Sequence, residues 1–526
     1  MTKKTPPRPR LLDKFLFEAG QQCQKRLWLD YHEPVPETPS ALRAAMSAAG
    51  EQLRALARTA FPKGIAIEAT EATAAAAETK AKIAAGAMVL FGATFVADGV
   101  EARSDVLVLH KEGLCDLYEI KSGTKVKHRY VNDLALQALV LEQSGLKMRA
   151  AYLLQVNPKY VHKEGTDFPP MQLLRSSDVT AKVQKQLEPT RRRVQTCRTA
   201  IADDGVLQLP MGTFCTNPFP CPHVARCTKE APPLPLRELP ELTRQLELEL
   251  HKEGIEDLAG LDEARPNLTF RQRKTLQCIK SGEPIVEPFV KDELTQCSKP
   301  LHFLAIGAVT DPLPRFDGQR PWRLVPYAWS AHTVHADGRL ETATFVHIDR
   351  TDPRPGFATS LQKHLEVGGT IVVWDDDALD ELRSLLDDLP NAKAAARALV
   401  STPHLDLMQL FDAGVFHPKV RTHQDLRASV EALLGDGSGK DLAVVGEDAV
   451  LEALQKAWAP RVRQATKDKL GADIVAGLVW TTERLLQLFN TYAGVAPPAQ
   501  KPKPEVAKVK PKALPKPLPK KLPDPE

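Results

Sequence analysis

Two carboxylates and a lysine, set at strand spacing, are the side chains of this sequence best suited to do chemistry together. Asp105 lies in the run Ala102-Arg-Ser-Asp-Val-Leu-Val, and Glu119 and Lys121 lie in Leu117-Tyr-Glu-Ile-Lys-Ser-Gly-Thr. Side chains on a strand alternate faces, so Glu119 and Lys121 point the same way while Ile120 points into the core. Asp105 comes fourteen positions before Glu119, enough for a turn through Lys111-Glu-Gly113 and a return strand. The three groups therefore converge on one edge of a hairpin. Hard oxygen ligands of this kind suit Mg²⁺ or Mn²⁺, which polarises a phosphate and lowers the pKa of a bound water. The lysine would orient that water or offset charge in the transition state. The competing reading is a solvated strand face with no chemistry, because a Glu-x-Lys string arises easily by chance.

The cysteines form a second pattern. There are eight. Cys23 stands near the N-terminus, and Cys215, Cys221 and Cys227 form a C-x₅-C-x₅-C cluster in a Pro-rich stretch. Short loops of this type gather thiolates around one centre, and four Cys can ligate a [4Fe-4S] cluster or a structural Zn²⁺. The spacing is wider than the pairs zinc favours and leans toward iron-sulfur, with His223 as a substitute ligand in a zinc site. Cys115, Cys197, Cys278 and Cys297 read as ordinary reduced thiols.

Three strands are expected around the acidic residues, over 88–96, 105–109 and 115–120, with a turn at Gly99. A helix over 132–142 and a further strand over 150–156 follow. This order resembles the core of the PD-(D/E)XK nuclease superfamily. Together with the segment Phe17-Glu-Ala-Gly-Gln-Gln-Cys23-Gln-Lys-Arg-Leu-Trp28-Leu, the bracketing cysteines resemble the iron-sulfur RecB-like exonucleases, including those associated with CRISPR adaptation. The resemblance spans residues 10 to 230. It implies that Asp105, Glu119 and the Ile120 carbonyl hold the metal, that Lys121 is the catalytic lysine and that Gln137 supports the site or the DNA. It also implies that Cys23, Cys215, Cys221 and Cys227 hold a cluster tying the two ends of the domain together. An early acidic or His ligand is expected on the first helix, and Glu51, in a helix over 40–60, is taken for it; the alternative is an exposed Glu paired with Arg54 or Arg58. Two positions depart from the family: Leu141 stands where the Gln-x-x-x-Tyr pattern has Tyr, and Gly92 stands where an acidic residue is expected.

At 526 residues the chain should form two or three domains. No apolar run approaches a membrane span and the N-terminus lacks an apolar leader, so a cytoplasmic protein is expected. The net charge is +4, but residues 497–526 carry eight Lys against three acidic residues, leaving the body at about −1. Pro recurs through this tail, which reads as an extended arm outside helix and sheet, either a phosphate tether or a solubilising segment.

The Pro-rich stretch 230–240 reads as a linker, followed by helices over 241–253 and 269–281. From Leu301 strands alternate with helices, giving an α/β layered domain. The stretch Arg315 to Ser330 resembles the C-terminal domain found beside RecB-like iron-sulfur nucleases, which looks like an RNase H-like exonuclease of the DEDD type. Such an enzyme carries Asp-x-Glu on its first strand, but Leu304-Ala-Ile-Gly307 has no carboxylate. Asp406 and the run Asp375 to Asp377 do not replace the pair, so this half reads as degenerate; a metal site rebuilt on that run is the alternative. The expected architecture is α/β throughout: a restriction-endonuclease-like nuclease domain over 1–230, a connector over 231–295, an RNase H-like domain over 296–495 and a tail over 496–526. The expected function is hydrolysis of DNA, at ends or in single strands, in genome defence or repair. The alternative is a non-catalytic DNA- or partner-binding scaffold.

Overall fold

A computed structural model describes residues 10–36, 39–389, 393–496 and 505–506. It is mixed α/β, built on two six-stranded sheets. The first holds β1 (Ile65–Ala66), β2 (Val89–Ala97), β3 (Val100–Leu109), β4 (Leu114–Lys121), β5 (Lys147–Val156) and β6 (Leu174–Asp178) in chain order. β2, β3 and β4 are antiparallel neighbours, whereas β5 returns parallel to β4 through a helical crossover. The turn over Lys111–Gly113 joins β3 to β4, with Glu112 and Gly113 both in the left-handed region.

Five helices pack on or around this sheet: α1 (Lys14–Gln22), α2 (Gln24–His32), α3 (Ala41–Thr59), α4 (Ala72–Ala84) and α5 (His128–Gln143). α5 is the crossover and is buried from Tyr130 to Leu141. Leu134, Ala138 and Leu141 pack with Leu16 and Phe17 of α1, Leu107 of β3 and Leu117 of β4. After α6 (Pro170–Leu173), α7 (Thr180–Ala202) adds Val183, Val194 and Cys197 to the same layer. On the other face Leu53 and Ala57 of α3 cover Phe91, Val106 and Ile120.

The alternation of side chains changes phase inside the hairpin. In β2, Leu90 lies in the α5 layer and Phe91 in the α3 layer, yet Ala93 and Phe95 are again in the α5 layer. In β3, Val100 and Ala102 share that layer with Leu107 and Leu109, so the phase shifts by one residue between them. Gly92, at φ +67°, and Asp105 stand opposite each other at this shift. A left-handed residue in a strand is accessible to Gly without strain.

The segment expected as a free linker is packed. Leu236 and Leu239 are buried against the helices Arg244–Lys252 and Phe270–Ser281. Beyond it, β7 (Ile285–Val286) pairs with a short strand described below, and the second sheet begins with β8 (Leu301–Val309), β9 (Val325–Val334) and β10 (Leu340–Val346), an antiparallel meander. β11 (Thr370–Val373) pairs parallel with β8, and β12 (His404–Asp406) parallel with β11. β13 (Val415–Phe416) is the partner of β7. The helix Arg354–Leu365 packs on one face, and the 30-residue helix Gln464–Ala493 places Trp480, Leu485 and Phe489 on the other.

Most of the expected tail lies outside the described residues. One part corrects the expectation that it stays out of a sheet: β14 (Glu505–Val506) pairs parallel with β10. Neither Glu505 nor Val506 is Pro, so their N–H groups can join a ladder.

Candidate active site

The antiparallel ladder between β3 and β4 ends at Val106–Tyr118. Past this pair the strands part, and the N–H of Ile120 donates to Asp105 Oδ2 at 2.8 Å in place of a backbone partner. β4 stays in register with β5 to Lys121–Gln155. Glu119 and Lys121 therefore project together toward α5 while Ile120 packs under α3, as strand alternation requires.

Toward α5 the two side chains meet a buried polar network. Lys121 Nζ lies 2.6 Å from Glu119 Oε1 and 3.0 Å from Asp133 Oδ2. Lys14, on α1, reaches the same two oxygens at 3.0 and 2.5 Å. Gln137 donates to Glu119 Oε2 at 3.0 Å, and its own carbonyl accepts from the Ser104 hydroxyl at 2.8 Å. Every carboxylate in this network has a donor, as burial demands.

The protonation states follow from these contacts. Burial, and then the negative charge of Glu119, push Asp105 up to about 7. Burial pulls Glu119 the same way, but Lys121 and Lys14 outweigh it and hold that carboxyl well below the usual range. Burial and Glu119 raise Asp133. Lys121 is raised, since the attraction of Glu119 and Asp133 outweighs its desolvation. Two carboxylates whose surroundings drive their pKa values apart are a mark of functional sites.

Of the expected site residues, Asp105, Glu119, Lys121 and Gln137 are brought together, with the Ile120 backbone between them. Glu51 is 69% exposed and pairs at 2.5 Å with Arg54, whose guanidinium in turn feels the charges of Asp105 and Glu119. The early acidic residue that the fold does bring close is Glu18 of α1, which feels Lys14, Asp133 and Lys121 and whose pKa burial raises. Sequence reading missed Lys14, Glu18 and Asp133. Asp133 had a signal, because it lies one helical turn before Gln137 on an otherwise apolar face. Leu141, the next turn on, is fully buried in the core.

The four cysteines line one cavity, together with Leu29, Met211, Phe214 and Val224. Cys23 sits at the junction of α1 and α2 and accepts from the Arg26 N–H at 3.5 Å. Cys215 accepts from the Gly212 N–H at 3.4 Å, and Cys227 lies in α8 (Val224–Glu230). Gln22 donates to the carbonyls of Phe214 and Phe219, at 2.6 and 2.7 Å, and Lys25 pairs with Glu230 at 2.6 Å, so the chain's start and residues 211–230 are joined independently of any ligand. His223 Nε2 is bound to Asp30 at 2.7 Å. All four thiols are free, and burial raises Cys23, Cys215 and, to about 11, Cys221.

Among the described residues no three His, Cys, Asp or Glu side chains form a ready coordination shell. The donor chemistry nevertheless fits both implied groups. Four soft thiols around an apolar cavity suit iron-sulfur or zinc, and Asp105 with Glu119 supplies hard oxygens for Mg²⁺ or Mn²⁺. No helix among the described residues is long and apolar enough to cross a membrane.

A family described as a domain of unknown function (DUF2779) matches residues 302–424, from β8 through β13. No curated protein matches the chain.

Proposed function

We propose that the chain is a metal-dependent DNA nuclease of the RecB-like PD-(D/E)XK type, hydrolysing phosphodiester bonds at DNA ends or in single strands. The observation that carries this reading is the convergence of Asp105, Glu119 and Lys121 where β3 and β4 part. Asp105, Glu119 and the Ile120 carbonyl would hold Mg²⁺ or Mn²⁺, which supplies Lewis-acid polarisation of the phosphate and an acidified water. Gln137, itself held by Ser104, keeps Glu119 aimed. Lys121 presents its ammonium beside the reacting phosphate, where it offsets developing charge. Lys14 and Asp133 hold that ammonium charged and in place.

Cys23, Cys215, Cys221 and Cys227 would hold a [4Fe-4S] cluster, with zinc as the alternative. In the second unit, an antiparallel meander whose first strand continues into two parallel strands supports the RNase H-like reading. Its β8 carries Ala305 and Gly307 in place of metal-holding carboxylates. A role in genome defence or repair follows from the resemblance.

One observation favours a scaffold instead: Glu119 is already neutralised by two lysines, as in a structural ion-pair network. Purified protein with Mn²⁺ or Mg²⁺ on end-labelled single- and double-stranded DNA and RNA separates the two. Cleavage of DNA lost on replacing Asp105, Glu119 or Lys121 by Ala, by about 100-fold or more, supports the nuclease. Wild-type protein that binds DNA and cuts nothing supports the scaffold.

A further inference from the structure

We propose that the second unit supplies a positioning residue to the first unit's centre: Trp322 holds the end of β4 and thereby the place of Lys121. This rests on the nuclease reading of that centre. The indole N–H of Trp322 donates at 2.7 Å to the carbonyl of Ser122, the residue after Lys121 and two hundred positions earlier in the chain. Because β4 has lost β3 as a neighbour by this point, its exit is held by β5 on one side and by this indole. The alternation of β4 then ties Ser122 rigidly to the direction of the Lys121 side chain.

The loop between β8 and β9 is built for this contact. Leu313 and Trp322 pack into the layer formed by Ile120, Val106, Leu154 and Tyr160 of the first unit. His162 exchanges two backbone hydrogen bonds with the loop, its N–H to Gln319 and its carbonyl from Gly318, both at 2.9 Å. The loop keeps its shape from within. The Gln319 side chain, 1% exposed, accepts from the N–H groups of Arg315 and Phe316, and Arg354, also 1% exposed, donates to the Asp317 carbonyl at 2.7 Å. Trp322 itself sits at φ +62°, a conformation an L side chain adopts only where its surroundings impose it. A loop merely covering a surface needs neither that backbone nor an indole aimed at one carbonyl beside the lysine.

The test uses full-length protein carrying Trp322→Phe, which keeps a ring in the layer and removes the N–H. Amide hydrogen exchange over residues 115–126 is read first, because it needs no activity; it should rise about tenfold. With Mn²⁺ and single-stranded DNA, kcat should fall about tenfold while KM stays within about twofold, since ground-state binding is untouched. Unchanged exchange overturns the proposal whatever the rate does. Raised exchange with unchanged kcat overturns the positioning role. A wild type that cuts no DNA, with exchange raised in the variant, removes the nuclease reading and leaves the hold of Trp322 on β4 standing. If Trp322→Phe does not fold, Leu313→Val loosens the same seat and is read by the same two measurements with the same outcomes.

Discussion

Gly92 and Asp105 face each other across the β2–β3 hairpin at the point where both strands change phase, and neither appears in the ladder that joins Phe91 to Val106 and Ala93 to Ser104. The left-handed backbone of Gly92 turns the pleat there, a conformation that glycine adopts without strain. A Cβ on Gly92 would meet no atom within 4 Å, so any penalty for adding one is backbone strain. Gly92→Ala should therefore cost about 1–2 kcal/mol, measured by urea unfolding. It should also lower cleavage, because relieving the strain re-aims Asp105.

Asp105 is the carboxylate whose ionisation the fold resists. With its pKa pushed up to about 7, the folded protein keeps its proton while an unfolded chain releases it near 4. Its contribution to stability is present below the unfolded value and is lost as pH rises through the folded one. Metal-free wild type should lose on the order of 4 kcal/mol between about pH 4 and 7 on this account. Asp105→Asn, which still accepts from Ile120, should escape that loss and be as stable as wild type or more so at pH 8, yet cut no DNA. Adding Mn²⁺ should raise the melting temperature of wild type and not of the variant. A variant markedly less stable than wild type at pH 8 would show that the carboxylate is held as an anion after all.

The Glu119–Lys121 pair was legible because strand alternation is a local rule, and the hairpin that carries Asp105 was legible from its turn residues. Gln137 is reached only through the family resemblance, on a helix that periodicity does mark and that brings its amide to Glu119. Lys14 and Trp322 were not legible: they reach the centre from 105 positions before Glu119 and 200 after Ser122, and no local pattern marks such pairs. For Glu51 the helix was legible and its facing was not: α3 turns Leu53 and Ala57 inward and leaves Glu51 exposed and paired with Arg54, the alternative reading. The Pro-rich stretch at 230–240 looked like a linker by composition, but its leucines at 236 and 239 are spaced to pack. The first unit is consequently less separable than composition suggests, since its α3 layer is completed by Leu313 and Trp322.

The cysteine site predicts a sharp asymmetry among the eight thiols. A ligand bridging Cys23 to Cys215, Cys221 and Cys227 closes a loop of about two hundred residues and adds on the order of several kcal/mol to folding. Cys23→Ser should then destabilise the N-terminal unit far more than Cys297→Ser, whose half-buried thiol sits at the edge of the second unit's core and donates to the Glu293 carbonyl. Protein purified without oxygen should be brown, absorb near ~400 nm and bleach with dithionite. One zinc per chain in colourless protein would keep the asymmetry and replace the cluster. Equal effects of the two substitutions in metal-replete protein would remove the site.

The second unit should carry its own acid sensitivity. His332 is buried against Thr482, which it meets at 2.7 Å, and His364 lies 2.9 Å from the Thr333 hydroxyl; burial lowers both to about 4. An unfolded chain binds protons at these rings near 6.5 while the folded one still excludes them. Stability from the neutral rings is therefore complete above about 6.5 and lost progressively as pH falls toward about 4, by on the order of 1–3 kcal/mol for each ring. His332→Gln keeps a polar partner for Thr482 without a titrating ring, so it should flatten part of this slope. Thermal melts followed by the fluorescence of Trp329 and Trp480, which lie in this unit, would resolve the effect between pH 4 and 7. A slope as steep in the variant as in wild type would assign the acid loss to other groups.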